Sequence, residues 1–167
     1  MAERILVTMV NHVAMDIAAS PDAVWSTIVE DYLEAKKFQN DGGEIEPFAD
    51  PGAVFGSYQI RFEHQGAVVD ERIVRITEVD EAARRLSATA DYLSFPNGMK
   101  VYATYHADDV AGATRYKIDC HTLVHIDVPQ VDGQAGIARA LAEMTAAADG
   151  YLVAYLESIK PRVEGGA

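Results

Sequence analysis

The fold is decided by residues 131–160, VDGQAGIARALAEMTAAADGYLVAYLESIK. Apolar side chains recur there at the spacing of an α-helix and form one continuous stripe. The stripe consists of Ile137, Leu141, Met144, Ala148, Tyr151, Leu152, Tyr155 and Ile159. Pro161 follows, and because proline cannot continue a helical hydrogen-bond ladder it is predicted to end the helix. A helix of this length spans about 40 Å and needs a broad apolar surface to lie on.

Small residues crowd the middle of this helix, from Ala138 to Gly150. Two interpretations stay open. Alanine favours a helix by propensity alone. Small side chains above a curved sheet would also leave a volume unfilled, and an unfilled apolar space is a ligand cavity. Gly150 costs about 1 kcal/mol against alanine in mid-helix, so it indicates a close approach or a bend.

The chain before this helix is mostly strand. Alternating apolar and polar residues predict strands at residues 5–17, 44–48, 54–62, 67–79, 84–92, 99–107 and 114–128. Ser20-Pro21-Asp22 begins a short helix, with a hydroxyl cap, a proline and an acid in the first turn, and Asp31 begins a second one. Only the long helix can cover the inner face of the sheet. The sequence therefore predicts an α+β fold: a curved antiparallel seven-stranded sheet around a long C-terminal helix. It forms one domain over residues 1–167, with a loose tail from residue 162.

Composition excludes several classes of function. The net charge of −12 argues against nucleic acid and anionic membrane surfaces as partners. A single cysteine excludes an internal disulfide and fits a reducing cytosol. No apolar run approaches the length of a membrane span. We therefore expect a cytoplasmic protein that does not insert into membranes, and the sequence leaves both a monomer and a homodimer open.

Three stretches resemble one superfamily: IAASPDAVW at residues 17–25, DERI at 70–73 and IDVP at 126–129. With the order of elements, they are similar to the START/polyketide-cyclase (SRPBCC) superfamily, the helix-grip fold of pollen-allergen-like proteins. The resemblance covers nearly the whole chain and implies a hydrophobic cavity between sheet and helix. The superfamily contains lipid carriers, hormone receptors, cyclases and ring-hydroxylase subunits, so the fold does not settle function. The iron motifs of the hydroxylases are missing, and no cofactor is expected.

Glu71 is the first catalytic candidate. On the favoured parity it faces inward with Ile73, as the acid at the matching family position does. A carboxylate in an apolar cavity has a raised pKa and can serve as acid or base. The alternative is that Glu71 faces water or pairs with Arg72, Arg75 or a neighbouring strand, because a bulge or a one-residue slip reverses the face.

Three tyrosines, Tyr58, Tyr105 and Tyr116, are predicted to project into the cavity, with Tyr116 as a second catalytic candidate. A phenol offers a flat apolar wall and one donor, which suits aromatic or keto ligands. The alternative is that they are ordinary core aromatics. Alternation and the helical stripe complete the predicted ligand-binding set with Ile60, Phe62, Leu86, Ala88, Met99, Val101, Ile118, Cys120, Thr122, Leu141, Met144 and Ala148.

No metal site is predicted. His121 and His125 lie four residues apart on a strand, about 13 Å, and so cannot hold one ion together. Cys120 and His121 form no catalytic dyad, because adjacent strand residues point to opposite faces. Cys120 is predicted to be a small buried hydrophobe.

Three functions follow. The first is a carrier or sensor that binds a lipid-, polyketide- or aromatic-like molecule in the cavity. The second is a cyclase, dehydratase or related lyase, in which Glu71 exchanges protons and a tyrosine stabilises an enolate. The third is a protein-interaction module, which would have a packed interior.

Overall fold

The computed structural model describes residues 2–95, 98–129 and 132–165. The elements are β1 (Ala2–Ile17), α1 (Pro21–Ile28), a π-helical turn (Val29–Leu33), α2 (Lys36–Asn40), β2 (Glu44–Pro47), β3 (Ser57–His64), β4 (Ala67–Asp80), β5 (Arg85–Tyr92), β6 (Met99–Val110), β7 (Ala113–Pro129) and α3 (Gly133–Glu164). The strands form one antiparallel sheet in the order β1-β7-β6-β5-β4-β3-β2. The predicted α+β helix-grip architecture is confirmed.

Strand β7 shows how the sheet separates its two faces. Alternate residues from Thr114 to Val128 are all buried, whereas Arg115, His121 and Asp127 between them are exposed. This is the parity that the sequence predicts. Strand β1 pairs with β7 along its whole length, and α3 lies against the inner faces of these two strands. Helix α3 therefore does not cover the half of the sheet formed by β3, β4 and β5.

The short helices begin as predicted but continue differently. The Ser20 hydroxyl accepts a hydrogen bond from the Ala23 amide at 3.3 Å, and Pro21 opens α1. The predicted second helix start at Asp31 is wrong, because Asp31 lies inside the π-helical turn that follows α1. The chain then passes through Ala35, whose φ of 59° redirects it, and only then begins α2. The turn buries both Asp31 and its neighbour Tyr32.

Helix α3 continues past its predicted end. Pro161 lies inside it, and the helix runs on to Glu164, so the prediction that Pro161 stops the helix is wrong. The tail predicted from residue 162 is also wrong for residues 162–164, because tertiary bonds hold this last turn. Arg162 pairs with Asp31, and the Glu164 carboxylate accepts a hydrogen bond from the Ala18 amide at 2.8 Å. The predicted start at Val131 lies outside the described residues.

Three attachments hold α3 to the sheet and the short helices. Near its start, Gly136 is buried so close to β7 that an added Cβ would lie 2.8 Å from Cγ1 of Val128. In the middle, the buried Asn11 amide donates to the Thr145 carbonyl at 3.1 Å and to the Asp149 carboxylate at 2.8 Å. The third attachment is the buried Asp31 carboxylate, described below.

Gly150 is not a point of close approach. It is exposed, and an added Cβ would meet nothing within 4 Å. The interpretation of Gly150 as a contact glycine is wrong, and Gly136 has that role. No helix in the described ranges is long and apolar enough to cross a membrane.

Candidate ligand-binding cavity

A partly open cavity of about 110 Å³ lies where the sheet diverges from α3. It is lined by Tyr32, Lys37, Phe38, Arg72, Val74, Ala88, Thr89, Ala90, Tyr92, Val101, Ala103, Tyr105, Cys120, Tyr151 and Leu152. Alanines on the central strands create the space, because Ala88, Ala90 and Ala103 leave room that larger side chains would fill. An unfilled volume beneath the helix is what the sequence predicts, but the small residues that form it are in the sheet.

Aromatic rings form one wall of the cavity. Tyr32 from the π-helical turn stacks on Tyr105 of β6, with centroids 3.9 Å apart and planes at 23°. The Tyr58 hydroxyl donates to the Tyr32 carbonyl at 2.6 Å and fixes the turn over the sheet. Burial raises the pKa of Tyr32 and Tyr105 well above that of a free tyrosine. Both phenols therefore stay protonated and can donate a hydrogen bond.

Lys37 brings an amine into this aromatic wall. Its Nζ lies 3.7 Å from the ring centroid of Tyr155 and 5.2 Å from that of Tyr32, and it donates to the Tyr32 hydroxyl at 3.3 Å. No carboxylate of the described residues forms an ion pair with it, although Asp31 and Asp41 act on it at longer range. Burial lowers the pKa of Lys37 to about 8, because water that would solvate the ammonium is excluded.

Arg72 supplies a second cation from β4. Its guanidinium lies 4.4 Å from the ring centroid of Tyr92 and 5.6 Å from that of Phe62. Its Nε donates to the carboxylate of Asp70 at 2.9 Å. Its Nη2 donates to the same carboxylate, so Asp70 holds the guanidinium in place beside the two rings.

Glu71 and Ile73 lie on the outer face of the sheet, so the prediction that they face the cavity is wrong. Gln59 Nε2 donates to Glu71 Oε1 at 2.5 Å, and Arg61 Nη2 donates to the same oxygen at 3.1 Å. The physical reason is a β-bulge in β4 between Ile76 and Glu78. A bulge adds one residue and reverses the face of everything beyond it. On the near side of the bulge Val74 and Ile76 are the buried residues, and Glu71 and Ile73 lie on the opposite parity.

The other predicted residues fall into two groups. Ala88, Val101, Tyr105 and Cys120 line the cavity. The remaining members do not line it. Met99 is partly exposed at the start of β6, and the others are in or against the core or along α3: Tyr58, Ile60, Phe62, Leu86, Tyr116, Ile118, Thr122, Leu141, Met144 and Ala148. Cys120 is buried as predicted, and burial raises the pKa of its thiol to about 11, so the thiol stays protonated.

Tyr116 is a core residue. Its side chain is fully buried, and its hydroxyl finds no hydrogen-bond partner among the described residues. Burial raises the pKa of Tyr116 as well. Its ring lies 6.5 Å from that of Tyr155, whose hydroxyl donates to the Asp31 carboxylate at 2.8 Å.

The Asp31 carboxylate ties the end of α3 to the π-helical turn. Its side chain is 0% exposed, and Arg162 donates to both of its oxygens at 3.0 Å. With the Tyr155 hydroxyl, three donors satisfy one buried anion. This network fixes Tyr155 beside Lys37, in the wall of the open groove that adjoins the cavity.

Sequence reasoning missed the polar residues of the site, Lys37 and Arg72. For Arg72 a signal exists, because it shares parity with the apolar Val74 and Ile76. For Lys37 none exists, since a Lys36-Lys37 doublet resembles an exposed surface and its orientation depends on the turn at Ala35. Among the described residues no group of His, Cys, Asp and Glu is arranged to hold a metal ion. His12 and His121 are exposed, and His12 pairs with Asp119 at 2.5 Å on the outer face.

No family model and no curated protein sequence matches this chain. Several solved structures do match it. Norcoclaurine synthase from Thalictrum flavum in complex with dopamine and hydroxybenzaldehyde is 17% identical, with a TM-score of 0.57 over 97% of this chain and 90% of that one. Zhui aromatase/cyclase from Streptomyces sp. R1128 is 17% identical, with a TM-score of 0.58 over 95% and 94%. Ara h 8.0201 is 16% identical, with a TM-score of 0.57 over 89% and 99%. At these identities the similarity shows the fold, and it confirms the helix-grip resemblance.

Proposed function

We propose that this chain, which has the fold of the START/polyketide-cyclase superfamily, binds a small and mostly apolar molecule in the cavity between sheet and α3. The observation that carries the proposal is a cavity of about 110 Å³ with aromatic walls and two cationic side chains. Ligand pockets combine apolar walls with a few placed polar groups, and this cavity has that composition.

The size of the cavity favours a single ring over a lipid or a polyketide chain. Pockets for larger ligands measure about 300–1,000 Å³, and a cavity of about 150 Å³ that holds benzene already exceeds this one, so a ring would also occupy part of the open space at its mouth. An open groove of about 280 Å³ adjoins the cavity and shares Lys37 and Tyr151 with it. A ring in the cavity can therefore carry a substituent that extends past Lys37 into the groove.

Charge favours a ligand with an electron-rich oxygen. The chain carries a net charge of −12, yet the titratable side chains that line the cavity include Lys37 and Arg72 and no carboxylate. A carboxylate, phenolate or carbonyl oxygen would meet both cations. The norcoclaurine synthase structure contains dopamine and hydroxybenzaldehyde, which are single-ring aromatic molecules that carry oxygen.

Calorimetric titration with benzoate tests the proposal. Ala90→Leu fills the cavity from β5 and is expected to weaken benzoate binding at least tenfold. Ala146→Leu adds the same side chain on the exposed face of α3 and leaves binding unchanged. Equal affinity of the two variants would refute a site in this cavity. Native mass spectrometry of freshly purified protein gives the mass of any molecule that remains bound.

For the enzyme hypothesis, the cavity is available, but the proposed catalytic acid does not face it. Glu71 lies on the outer face, and Tyr116 is sealed in the core. Proton exchange in the cavity would depend on Lys37, the lining group whose pKa of about 8 lies close to neutral pH. The interaction-module hypothesis predicts a packed interior, which the cavity does not fit.

A further inference from the structure

Lys37 differs from the chain's other lysines in its surroundings. The five lysines are Lys36, Lys37, Lys100, Lys117 and Lys160. The neighbouring Lys36 is exposed and pairs with Glu34 at 3.1 Å and with Glu30 at 3.4 Å. Lys37 instead separates the cavity from the groove, with its Nζ against the Tyr155 ring and the Tyr32 hydroxyl.

We propose that the Lys37 amine forms an imine with an aromatic aldehyde or ketone bound in the cavity. The inference rests on the proposed function, because the cavity must first hold the ring. Three features of the geometry support it: Lys37 lines both spaces, no described carboxylate forms an ion pair with its amine, and Tyr32 places a hydroxyl 3.3 Å from the nitrogen. A lysine amine that is desolvated in an apolar pocket is activated as a nucleophile towards carbonyl compounds.

The chemistry balances without a further reactant. The lone pair of neutral Lys37 Nζ attacks the carbonyl carbon, and the C=O π electrons move to oxygen. That oxygen takes a proton and the nitrogen loses one, which gives a carbinolamine. The hydroxyl then takes up a proton and leaves as water while the nitrogen lone pair forms the C=N bond, and loss of the remaining N–H proton gives the neutral imine. Tyr32 is protonated and within reach of the nitrogen, so it can donate a hydrogen bond to the departing oxygen.

The groups that surround Lys37 permit a neutral amine near physiological pH. Asp31 and Asp41 favour the cation, whereas Arg72 and burial oppose it, and burial is the largest effect. The ring of Tyr155, whose centroid lies 3.7 Å from the nitrogen, also favours the cation. With a pKa of about 8, about a tenth of Lys37 is neutral at pH 7, against about one in 3,000 for an ordinary lysine.

Benzaldehyde with cyanoborohydride tests the inference in the intact protein. The reagent fixes an imine as a benzyl amine, and peptide mapping locates it. At pH 7 we expect Lys37 to be labelled at least ~100-fold faster than Lys36. Labelling should saturate with benzaldehyde and be suppressed by benzyl alcohol, which fits the same space without a carbonyl. Lys37→Arg should abolish it, whereas Lys36→Arg should leave it unchanged.

The outcomes separate this inference from the proposed function. Labelling spread evenly over the five lysines and the terminal amine would overturn the imine. Benzyl alcohol binding that Ala90→Leu abolishes, without adduct on Lys37, would overturn the imine and leave the cavity proposal standing. The comparison of Lys37 with Lys36 within one folded protein needs no variant, so a folding defect in Lys37→Arg does not affect it.

Discussion

Removing the Arg162 guanidinium should destabilise the protein strongly, although that side chain is 42% exposed. Asp31 is 0% exposed, and Arg162 provides two of its three hydrogen bonds. Deleting one partner of a buried ion pair leaves an uncompensated charge and costs about 3–5 kcal/mol. Because water can enter where Arg162 was, we take the lower end, about 3 kcal/mol for Arg162→Ala. For a chain of 167 residues this lowers Tm by about 6–12 °C.

Urea unfolding followed by circular dichroism measures this loss, with two further variants as references. Arg139→Ala removes an exposed pair, 3.7 Å from Asp132, and should change the free energy of unfolding by less than about 0.5 kcal/mol. Asp31→Asn in the Arg162→Ala background removes the unpaired charge and should recover part of the loss. The reasoning is refuted if Arg162→Ala costs under about 1 kcal/mol, or if Asp31→Asn recovers nothing.

Three further predictions follow from the same structure. Glu71→Gln should leave benzoate affinity in calorimetry unchanged, because Glu71 lies on the outer face, and a tenfold loss would place it back in the site. Lys37→Met should raise the free energy of unfolding at pH 7 by up to about 3 kcal/mol, because folding lowers the pKa of Lys37 from 10.5 to about 8 and disfavours its charged form. The wild type then gains stability as pH rises from 8 to 10.5, so the difference in the free energy of unfolding between Lys37→Met and wild type should shrink over that range in urea titrations. A difference that stays constant with pH would contradict the prediction. Gly136→Ala should lower Tm, because the added Cβ would lie 2.8 Å from Val128. Gly150→Ala should raise Tm, because its Cβ meets nothing and alanine has the higher helix propensity. The reverse order of the two Tm values would be evidence against the close approach at Gly136.

The architecture was predictable because strand period, turn residues and the long apolar stripe all indicate the same arrangement. Strand β7 alternates without interruption, and so its faces could be assigned. The faces of strand β4 could not be assigned in the same way. Its bulge arises from the pairing with β5, and the residues of β4 alone do not determine that pairing. Lys37 was missed for a similar reason, since the Ala35 turn that aims it is a tertiary feature.

The small residues of α3 illustrate a partial success. They predict a space under the helix, and a space exists, but the alanines that bound it are on β5 and β6. Composition can indicate that volume is left unfilled without indicating which of two facing layers leaves it. The prediction that Pro161 ends the helix was wrong because local helix propensity does not include the bonds of Arg162 and Glu164 to the rest of the chain.

Anchoring of α3 near its start, at its middle and at its end has a consequence for selectivity. A helix fixed at Gly136, at Asn11 and at Asp31 cannot tilt outward to admit a bulkier guest. Tyr151 and Lys37, which line both the cavity and the groove, are the side chains whose rotamers would adjust the entrance. We therefore expect an abrupt cutoff along a homologous series, in which fused bicyclic compounds are rejected outright and do not merely bind more weakly.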